Sequence, residues 1–323
     1  MTTTAADSVP PGSVPSDFTS RVNDRLLRLA DGLPEPVRAP VRTLVAGPGK
    51  FVRPRLLAAA AGFGTADHGR LVRLGALVEL IHLASLLHDD VIDEAETRRG
   101  APAAHTAVGT EQAMLAGLAC FALVGTEAAD LGEGVAGAVS AAVARLAYGE
   151  LLDVERAFDT AFPLPAYLEL VQSKTAELFR LCCLLGAAEV RSGPGEAAAL
   201  VRFGTALGVT FQILDDCLDL RPSQSGKPVG TDHALGLFGA PTLYALRADS
   251  GGELATLLLS PSFSTGDMPE VYSLVEARGG LEAAARLAAD WHDRSLAALG
   301  ELPAGGPRDR LAALAASLLQ ARS

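Results

Sequence analysis

The stretches HLASLLHDDVIDE, residues 82 to 94, and FQILDDCLDL, residues 211 to 220, decide how this chain is interpreted. Each carries the pattern DDxxD inside an apolar segment, and the aspartates are Asp89, Asp90 and Asp93, then Asp215, Asp216 and Asp219. On a helix the first and last aspartates of each pattern share one face, because they are four residues apart. Ionised carboxylates beside Ile, Leu and Phe are costly unless a cation neutralises them. We therefore expect both segments to bind a divalent metal that bridges to a phosphate.

The sequence around the two clusters predicts an all-α fold. Aromatic residues are only 5% of the chain, Ala and Leu are abundant, and no segment shows the strict alternation of a half-buried strand. We expect a single-domain helical bundle over residues 18–323, with a central cavity between the two DDxxD helices. The helices are expected at about 19–31, 36–46, 51–62, 69–93, 110–129, 134–159, 164–190, 194–221, 238–249, 270–299 and 307–322. Residues 1–17, rich in Ser, Thr and Pro, are predicted to form a disordered tail.

Composition excludes some classes of partner and location. The formal net charge of −11, without a long basic block, argues against a nucleic-acid partner. The four cysteines lie in apolar segments without metal-ligand spacing or a secretory context, so we expect buried thiols in a cytoplasmic protein. The longest apolar run, residues 113–126, is shorter than the roughly 20 residues that cross a bilayer, so no membrane span is expected.

The residues that follow each cluster suggest chemistry on a diphosphate. ETRRGAPAAH, residues 96–105, and RPSQSGKPVGTDHALG, residues 221–236, carry Gly with Arg or Lys, as suits a lid over a phosphate. Magnesium prefers oxygen ligands and is commonly held by one or two carboxylates and by substrate phosphates. It would make diphosphate a better leaving group, and the carbocation left behind requires an apolar wall.

With these motifs, the chain resembles the trans-isoprenyl diphosphate synthases, or polyprenyl synthetases. The resemblance runs from about residue 45 to 245 and includes GKFVRP, HLASLLHDDVIDEAETRRG, SKTAELF and FQILDDCLDL. It implies an enzyme that joins isopentenyl diphosphate head-to-tail to an allylic diphosphate, depends on several Mg²⁺ ions and forms a homodimer.

The resemblance also implies a role for individual residues. The six aspartates would hold Mg²⁺ on the allylic diphosphate. The residues of the isopentenyl diphosphate pocket would be Lys50, Arg53, His82 and Arg99. The residues that contact or close over the allylic diphosphate would be Arg98, Lys174, Thr175, Gln212 and Lys227. Of these, Lys174, Thr175 and Gln212 would also stabilise the cation, and the released diphosphate would accept the proton.

Product length in this family depends on the residues just before the first cluster. Here these residues are Ala84 and Ser85, which are too small to stop a growing chain. Phe121, deeper in the molecule, is the candidate floor. We therefore expect a geranylgeranyl or longer product.

Several family positions are altered. Leu237 and Gly239 replace a lysine and a threonine, Leu118 replaces an aspartate, and Glu150 replaces a glutamine. These changes leave open a terpene cyclase on the same scaffold or a non-catalytic partner subunit. Lys50, Arg53, His82 and Arg99 favour a synthase, because a cyclase needs no second diphosphate pocket, and the six aspartates count against a non-catalytic subunit. The sequence leaves the allylic starter and the pathway open.

Overall fold

The computed structural model describes residues 8–9, 14–220 and 230–320, and helices account for most of them. The predicted all-α fold is therefore confirmed. The helices are α1 Phe18–Asp31, α2 Arg38–Ala46, α3 Val52–Ala60, α4 His68–Ile92, α5 Ala104–Val108, α6 Thr110–Leu131, α7 Glu133–Glu155, α8 Leu164–Val171, α9 Glu177–Glu189, α10 Pro194–Asp219, α11 Thr231–Ala234, α12 Ala240–Ala248, α13 Glu253–Leu258, α14 Met268–Ala277, α15 Gly280–Gly300 and α16 Gly306–Gln320. A single turn of π-helix, Gln172–Ala176, called the π-turn below, joins α8 to α9. Turns of 3₁₀-helix lie at Ala61–Phe63 and Thr265–Asp267.

Extended structure is limited to two short antiparallel pairs in the described residues. Strand β1, Ser8–Val9, pairs with β2, Ala66–Asp67. Strand β3, Thr97–Arg98, pairs with β4, Ala101–Pro102, directly after the first aspartate cluster. Pairs of two residues are below the length at which alternation of side chains can be recognised in a sequence.

The predicted helix at 270–299 is wrong as one element, because the chain forms α14 and α15 there. Gly279 separates them with a φ of +70°, a conformation that glycine adopts without a side-chain penalty. The predicted helix at 134–159 ends earlier, at Glu155. Helices α5, α11 and α13 were not predicted, since four to six residues carry too little periodicity.

The chain divides into two compact units. Unit 1 comprises Met1–Val143, Leu178–Val201 and Glu301–Leu311, and unit 2 comprises Ala144–Glu177, Arg202–Gly300 and Ala312–Ser323. The prediction of one domain with a central cavity stays a prediction. So does disorder over residues 1–17, of which 1–7 and 10–13 lie outside the described residues.

Helix α4 is the centre of unit 1. Most of its residues are buried apolar side chains, and α1, α3 and α6 all pack against it. Gly75 allows the approach of α1, since a Cβ there would lie 2.9 Å from Cγ2 of Val22. At its start, Asp67 caps the helix by accepting a 2.7 Å hydrogen bond from the N–H of Arg70. The last turn of this buried helix carries the first aspartate cluster.

Unit 2 has its own apolar core, in which α12 packs against α14 and α15. Tyr167 and Phe238 are among its largest fully buried side chains. Pro241 and Gly280 mark a close approach, because a Cβ on Gly280 would strike the Pro241 carbonyl oxygen. This core supports the C-terminal part of α10, where the second aspartate cluster lies.

Four of the described helices, α4, α6, α7 and α10, are long and apolar enough to cross a membrane by length and composition alone. The expectation of no membrane span is therefore not confirmed. The most apolar window of α4 is 72% buried inside the protein, whereas that of α7 is only 22% buried. The low burial of α7 leaves apolar side chains at its surface.

Candidate active site

The first cluster lies at the C-terminal end of α4 in unit 1. Asp90 is 1% exposed, and Nε of Arg98 donates a 2.6 Å hydrogen bond to its Oδ1. Asp89 is half-buried, and Asp93 caps the helix through a 2.8 Å bond from its N–H to the Asp89 carbonyl. The β3–β4 hairpin thus brings a cation to the buried member of the cluster, while Asp89 and Asp93 remain partly accessible.

Three predicted diphosphate-binding residues come together around α4. Burial, reinforced by the charges of Arg53 and Arg99, lowers the pKa of His82 well below 6.5, so its imidazole is neutral at neutral pH. Burial also lowers the pKa of Arg53, and the Nε atom of this residue is buried and has no hydrogen-bond partner in the described part of the chain. An unsatisfied buried guanidinium nitrogen needs an acceptor, as a diphosphate oxygen would supply.

Glu79 is a member of this group that the sequence analysis missed. It is 4% exposed, one turn before His82, and its Oε1 lies 3.7 Å from a terminal nitrogen of Arg99. Burial raises its pKa, whereas the charges of Arg53 and Arg99 oppose that rise. A glutamate inside an otherwise apolar helix was the available signal, since such residues are rarely buried unless paired.

Two residues of the same region have left-handed backbone conformations. Phe51, between Lys50 and Arg53, has a φ of +46°, and Arg99 has a φ of +54°. Such conformations cost about 1–3 kcal/mol in residues other than glycine and concentrate at ligand-binding positions. Lys50 is exposed at the end of the segment before α3.

The second cluster lies at the end of α10 in unit 2. Tyr167 donates a 2.5 Å hydrogen bond to Oδ2 of Asp216, and the N–H of Ala240 donates to the same oxygen at 3.0 Å. Gln212 donates to Oδ1 at 2.8 Å. Burial raises the pKa of Asp216 although these donors favour its ionised form. The carboxylate is therefore fixed by three donors from three elements.

Asp219, the last member of the cluster, is oriented differently. Its Oδ2 is buried, has no hydrogen-bond partner among residues 14–220 and 230–320, and lies 3.5 Å from Nδ1 of His233. The other ring nitrogen of His233 is 2.8 Å from the hydroxyl of Thr242. An unsatisfied carboxylate oxygen is a suitable ligand for a hard cation.

The residues predicted to stabilise a carbocation are close to this cluster. Thr175 donates a 2.7 Å hydrogen bond to Gln212, which in turn donates to Asp216. The amine of Lys174 is bound by two carboxylates of α7, Glu150 at 2.9 Å and Asp153 at 2.6 Å. Lys174 and Thr175 both belong to the π-turn, an irregularity that is frequent at functional sites. Lys227, the remaining predicted contact, lies outside the described residues.

The structure explains why residue 239 is a glycine, which the sequence did not. A Cβ at this position would lie 2.6 Å from Cγ and 2.7 Å from Oδ2 of Asp216. No threonine fits there while the N–H of Ala240 reaches the carboxylate. The glycine therefore permits a backbone contact with the second cluster.

The donor set of both clusters fits magnesium. Within residues 14–220 and 230–320, no three His, Cys, Asp or Glu side chains form a complete metal-binding group. Magnesium does not need one, because substrate phosphates and water commonly complete its shell. Asp89 and Asp93 near the first cluster's surface, and the unsatisfied oxygen of Asp219, are the positions suited to hold it.

The positions predicted to set product length lie on α4, which packs against α6. Ala84 is buried and Ser85 is half-buried, with the hydroxyl of Ser85 bonded to the His82 carbonyl at 2.9 Å. The ring of Phe121 packs against that of His88 at a centroid distance of 5.8 Å. Phe121 thus lies beside the turn that precedes Asp89.

Comparison with known proteins gives one consistent result. Residues 34–275 match the model of the family described as Polyprenyl synthetase. The chain is 33% identical over 303 residues to heptaprenyl diphosphate synthase component 2 of Geobacillus stearothermophilus, and the match covers 93% of this chain and 94% of that protein.

Solved structures agree with this result. Geranylgeranyl pyrophosphate synthase from Lactobacillus brevis superposes with a TM-score of 0.87 at 30% identity, covering 94% of this chain and 96% of that one. Polyprenyl synthase from Caulobacter crescentus, in complex with calcium and isoprenyl diphosphate, gives a TM-score of 0.85 at 32% identity, with 95% and 94% covered.

Proposed function

Because the chain belongs to the polyprenyl synthetase family, we propose that it is a transferase that condenses isopentenyl diphosphate with an allylic diphosphate. The product is a trans-polyprenyl diphosphate, and the released group is diphosphate. The observation that carries this proposal is the group formed by Arg53, His82 and Arg99 around α4. These residues offer a cationic site that is additional to the one suited to the allylic substrate.

Magnesium at the aspartate clusters would neutralise the charge that develops on the departing diphosphate. The relative from Caulobacter crescentus was solved with calcium and isoprenyl diphosphate, which supports a divalent cation beside a diphosphate here. In this chain, the partly accessible Asp89, Asp93 and Asp215 and the unsatisfied oxygen of Asp219 are the ligands we propose.

The protein's own residues bind and orient the reactants. When the allylic carbon–oxygen bond breaks, the bonding electrons leave with the diphosphate and the carbon chain becomes a cation. The hydroxyl of Thr175 and the amide of Gln212 offer oxygen atoms that stabilise this cation. The double bond of isopentenyl diphosphate then attacks the cation, and the released diphosphate accepts the proton that is lost. His82, neutral at neutral pH, serves as a hydrogen-bonding group for the second diphosphate.

For the product we propose geranylgeranyl or longer chains. The side chains of Ala84 and Ser85 are too small to block a chain that grows along α4, and relatives are named for geranylgeranyl and heptaprenyl products. Phe121 is the proposed floor. A shorter product from a variant with Ala84→Phe would agree with growth along α4.

The deciding test is incubation of purified protein and Mg²⁺ with farnesyl or geranylgeranyl diphosphate, with and without labelled isopentenyl diphosphate. Label in a longer diphosphate supports the synthase. A hydrocarbon formed without isopentenyl diphosphate would contradict it and support the terpene cyclase, which the altered Leu237 keeps as the second candidate.

Replacement of Asp89 or Asp215 with Asn should lower turnover by at least about 100-fold, because each change removes a charged metal ligand. The rate of label incorporation at saturating substrate measures this. The control is Asp290→Asn on the exposed side of α15, which should keep the wild-type rate. Normal turnover after both cluster substitutions would remove the basis for the metal sites.

Assembly as a homodimer is also proposed, and cytoplasmic localisation stays a prediction. Met114, Leu115 and Leu118 are 51%, 54% and 61% exposed on α6, and such apolar faces commonly bind a partner. The similarity to a protein named component 2 raises the alternative of a different partner subunit. Activity of the purified chain alone would exclude a strict requirement for such a subunit.

A further inference from the structure

Arg156 is a buried cation of unit 2 that has no role in the function proposed above. It follows α7 directly and is only 8% exposed. Its guanidinium lies over the ring of Phe162, with 5.4 Å from the guanidinium carbon to the ring centroid. Burial of an arginine costs free energy unless its charge is paired and its N–H groups are hydrogen-bonded. The partners of Arg156 therefore indicate which groups it holds in place.

One side of Arg156 holds the carboxylate that binds Lys174. Nε and a terminal nitrogen of the guanidinium each lie 2.7 Å from Oδ1 of Asp153. The other oxygen of Asp153 accepts from the Lys174 amine at 2.6 Å. Burial would raise the pKa of Asp153, but the charges of Lys174 and Arg156 outweigh it and lower that pKa, so the carboxylate is ionised between two cations.

The opposite side of Arg156 holds the segment that precedes α12. Its other terminal nitrogen donates a 2.6 Å hydrogen bond to the carbonyl of Phe238. The residues next to Phe238 are Leu237 and Gly239. The neighbouring N–H of Ala240 bonds to Asp216. Arg156 therefore lies between the lysine of the π-turn and the backbone that contacts the second cluster.

A second contact reinforces the same connection. The N–H of Phe158 donates a 2.9 Å hydrogen bond to the carbonyl of Gly236, and both residues have left-handed backbones, with φ of +62° and +73°. The segment 236–240 is thus attached to the residues after α7 at two points. Arg156 supplies the charged one.

We infer that Arg156 is a positioning residue of the allylic half of the site, and this rests on the proposed function. It fixes the Lys174 amine through Asp153 and fixes the Asp216 contact through the Phe238 carbonyl. Both anchored groups are proposed to serve the allylic substrate, so loss of Arg156 should affect that substrate and spare the binding of isopentenyl diphosphate.

The test compares Arg156→Met and Arg156→Lys with the wild type in steady-state kinetics. Arg156→Met should raise the KM for the allylic diphosphate by roughly 10- to 100-fold, because it displaces groups that are proposed to hold this substrate. The KM for isopentenyl diphosphate should change less than about twofold. Arg156→Lys keeps the charge but not the forked geometry of the guanidinium. Its KM for the allylic diphosphate should therefore lie between those of the wild type and Arg156→Met.

Arg278→Met is the matched control. Arg278 is also in unit 2 and is paired with Asp249 at 2.8 Å and with Glu253 at 3.0 Å. Its loss should lower stability without changing the ratio of the two KM values. If Arg156→Met changes both KM values equally or neither, the inference is wrong. If Arg156→Met does not fold, the inference is judged on Arg156→Lys, by whether its KM for the allylic diphosphate rises relative to its KM for isopentenyl diphosphate.

Hydrogen–deuterium exchange separates this inference from the proposed function. Peptides that contain the Phe158 and Ala240 amides, both in unit 2, should exchange faster in Arg156→Met than in the wild type, with exchange in unit 1 unchanged. Unchanged exchange at these amides would overturn the positioning role. The proposed function is tested separately, by whether the wild type extends an allylic diphosphate with isopentenyl diphosphate. If it does not, while these amides still exchange faster in Arg156→Met, the proposed function is rejected and the anchoring role of Arg156 is kept.

Discussion

At the scale of single residues, Gly239 determines how the second cluster is held. Its lack of a side chain allows the backbone at Ala240 to reach Asp216. The aspartate in turn orients Gln212, and through it Thr175. A position that differs from the family pattern is thus part of a connected hydrogen-bond network, and a change there should affect several neighbours together.

Gly239→Thr restores the family residue, yet we expect it to lower kcat/KM by roughly tenfold or more. The added Cβ would lie 2.6 Å from Cγ of Asp216, so the segment must move away from the cluster. Gly251→Thr is the control, because a Cβ there meets no atom within 4 Å. An increase in kcat/KM on restoring threonine would show that the contact described here is not needed.

His82 should make stability depend on pH. Its pKa in the folded protein is depressed below 6.5, so the unfolded chain binds a proton there at higher pH than the folded chain. The corresponding stability is fully present above about pH 6.5 and is lost as pH falls toward the folded-state pKa. Urea denaturation at about pH 7.5 and about pH 5.5 should show a smaller loss for His82→Gln than for the wild type, by up to about 1.4 kcal/mol per pH unit.

The comparison between variants isolates His82 from its neighbours. Glu79, whose pKa is raised by burial, contributes a dependence of opposite sign that begins above about pH 4.5, but it is present in both proteins. His292→Gln on α15 is the control. Equal pH dependence for His82→Gln and the wild type would contradict the prediction.

At the scale of elements, the π-turn and α7 are fitted to each other. Gly149 lies against the backbone of Lys174, because a Cβ on Gly149 would be 2.6 Å from the backbone nitrogen of Lys174. The approach allows Glu150 and Asp153, which follow on α7, to reach the lysine amine. The geometry of the amine therefore depends on the distance between two elements.

Gly149→Ala should cost about 1–3 kcal/mol of unfolding free energy through overpacking and should lower turnover. Gly137→Ala on the same helix is the control, since a Cβ there meets no atom within 4 Å. That control should be neutral or more stable by about 0.5–1 kcal/mol. Equal stability of the two variants in urea denaturation would show that α7 can move away without cost.

Much of the fold could be predicted because long helices repeat their pattern over many turns. The periodicity around Asp89 and Asp215 is sustained, so α4 and α10 were located to within a few residues. The π-turn at Lys174 and the break at Gly279 were not predicted, since one extra or left-handed residue barely alters the periodicity. For the same reason the contacts of Arg156, which depend on the loop geometry at Phe238, could not be read from the sequence.

At the scale of the whole molecule, each unit has its own core and its own part of the predicted machinery. Unit 1 holds the first cluster with Arg53, His82 and Arg99, and unit 2 holds the second cluster with Lys174, Thr175 and Gln212. Within each unit, predicted residues far apart in sequence come together: Arg53 with His82, and Thr175 with Gln212. The roles of the residues named by the family motifs stay a prediction, whereas the contacts of Glu79 and Tyr167 with them were found only in the fold.

The exposed apolar side chains of α6 predict self-association. Light scattering should give the mass of a dimer for the wild type, and Leu118→Glu should shift it toward the monomer, because an unpaired charge would be buried at the interface. Leu296→Glu, at an exposed leucine of α15, is the control and should remain dimeric. A wild-type mass equal to one chain would reject the homodimer.

The four long apolar helices also bear on how this protein is made in a cell. During synthesis α4 leaves the ribosome before α6, and Leu178–Val201 of unit 1 comes much later. Until those partners arrive, the nascent chain carries a 25-residue helix whose composition a bilayer or another unfinished chain could accept. Folding therefore competes with misinsertion and aggregation, so lower growth temperature and added chaperones should raise the yield of soluble protein.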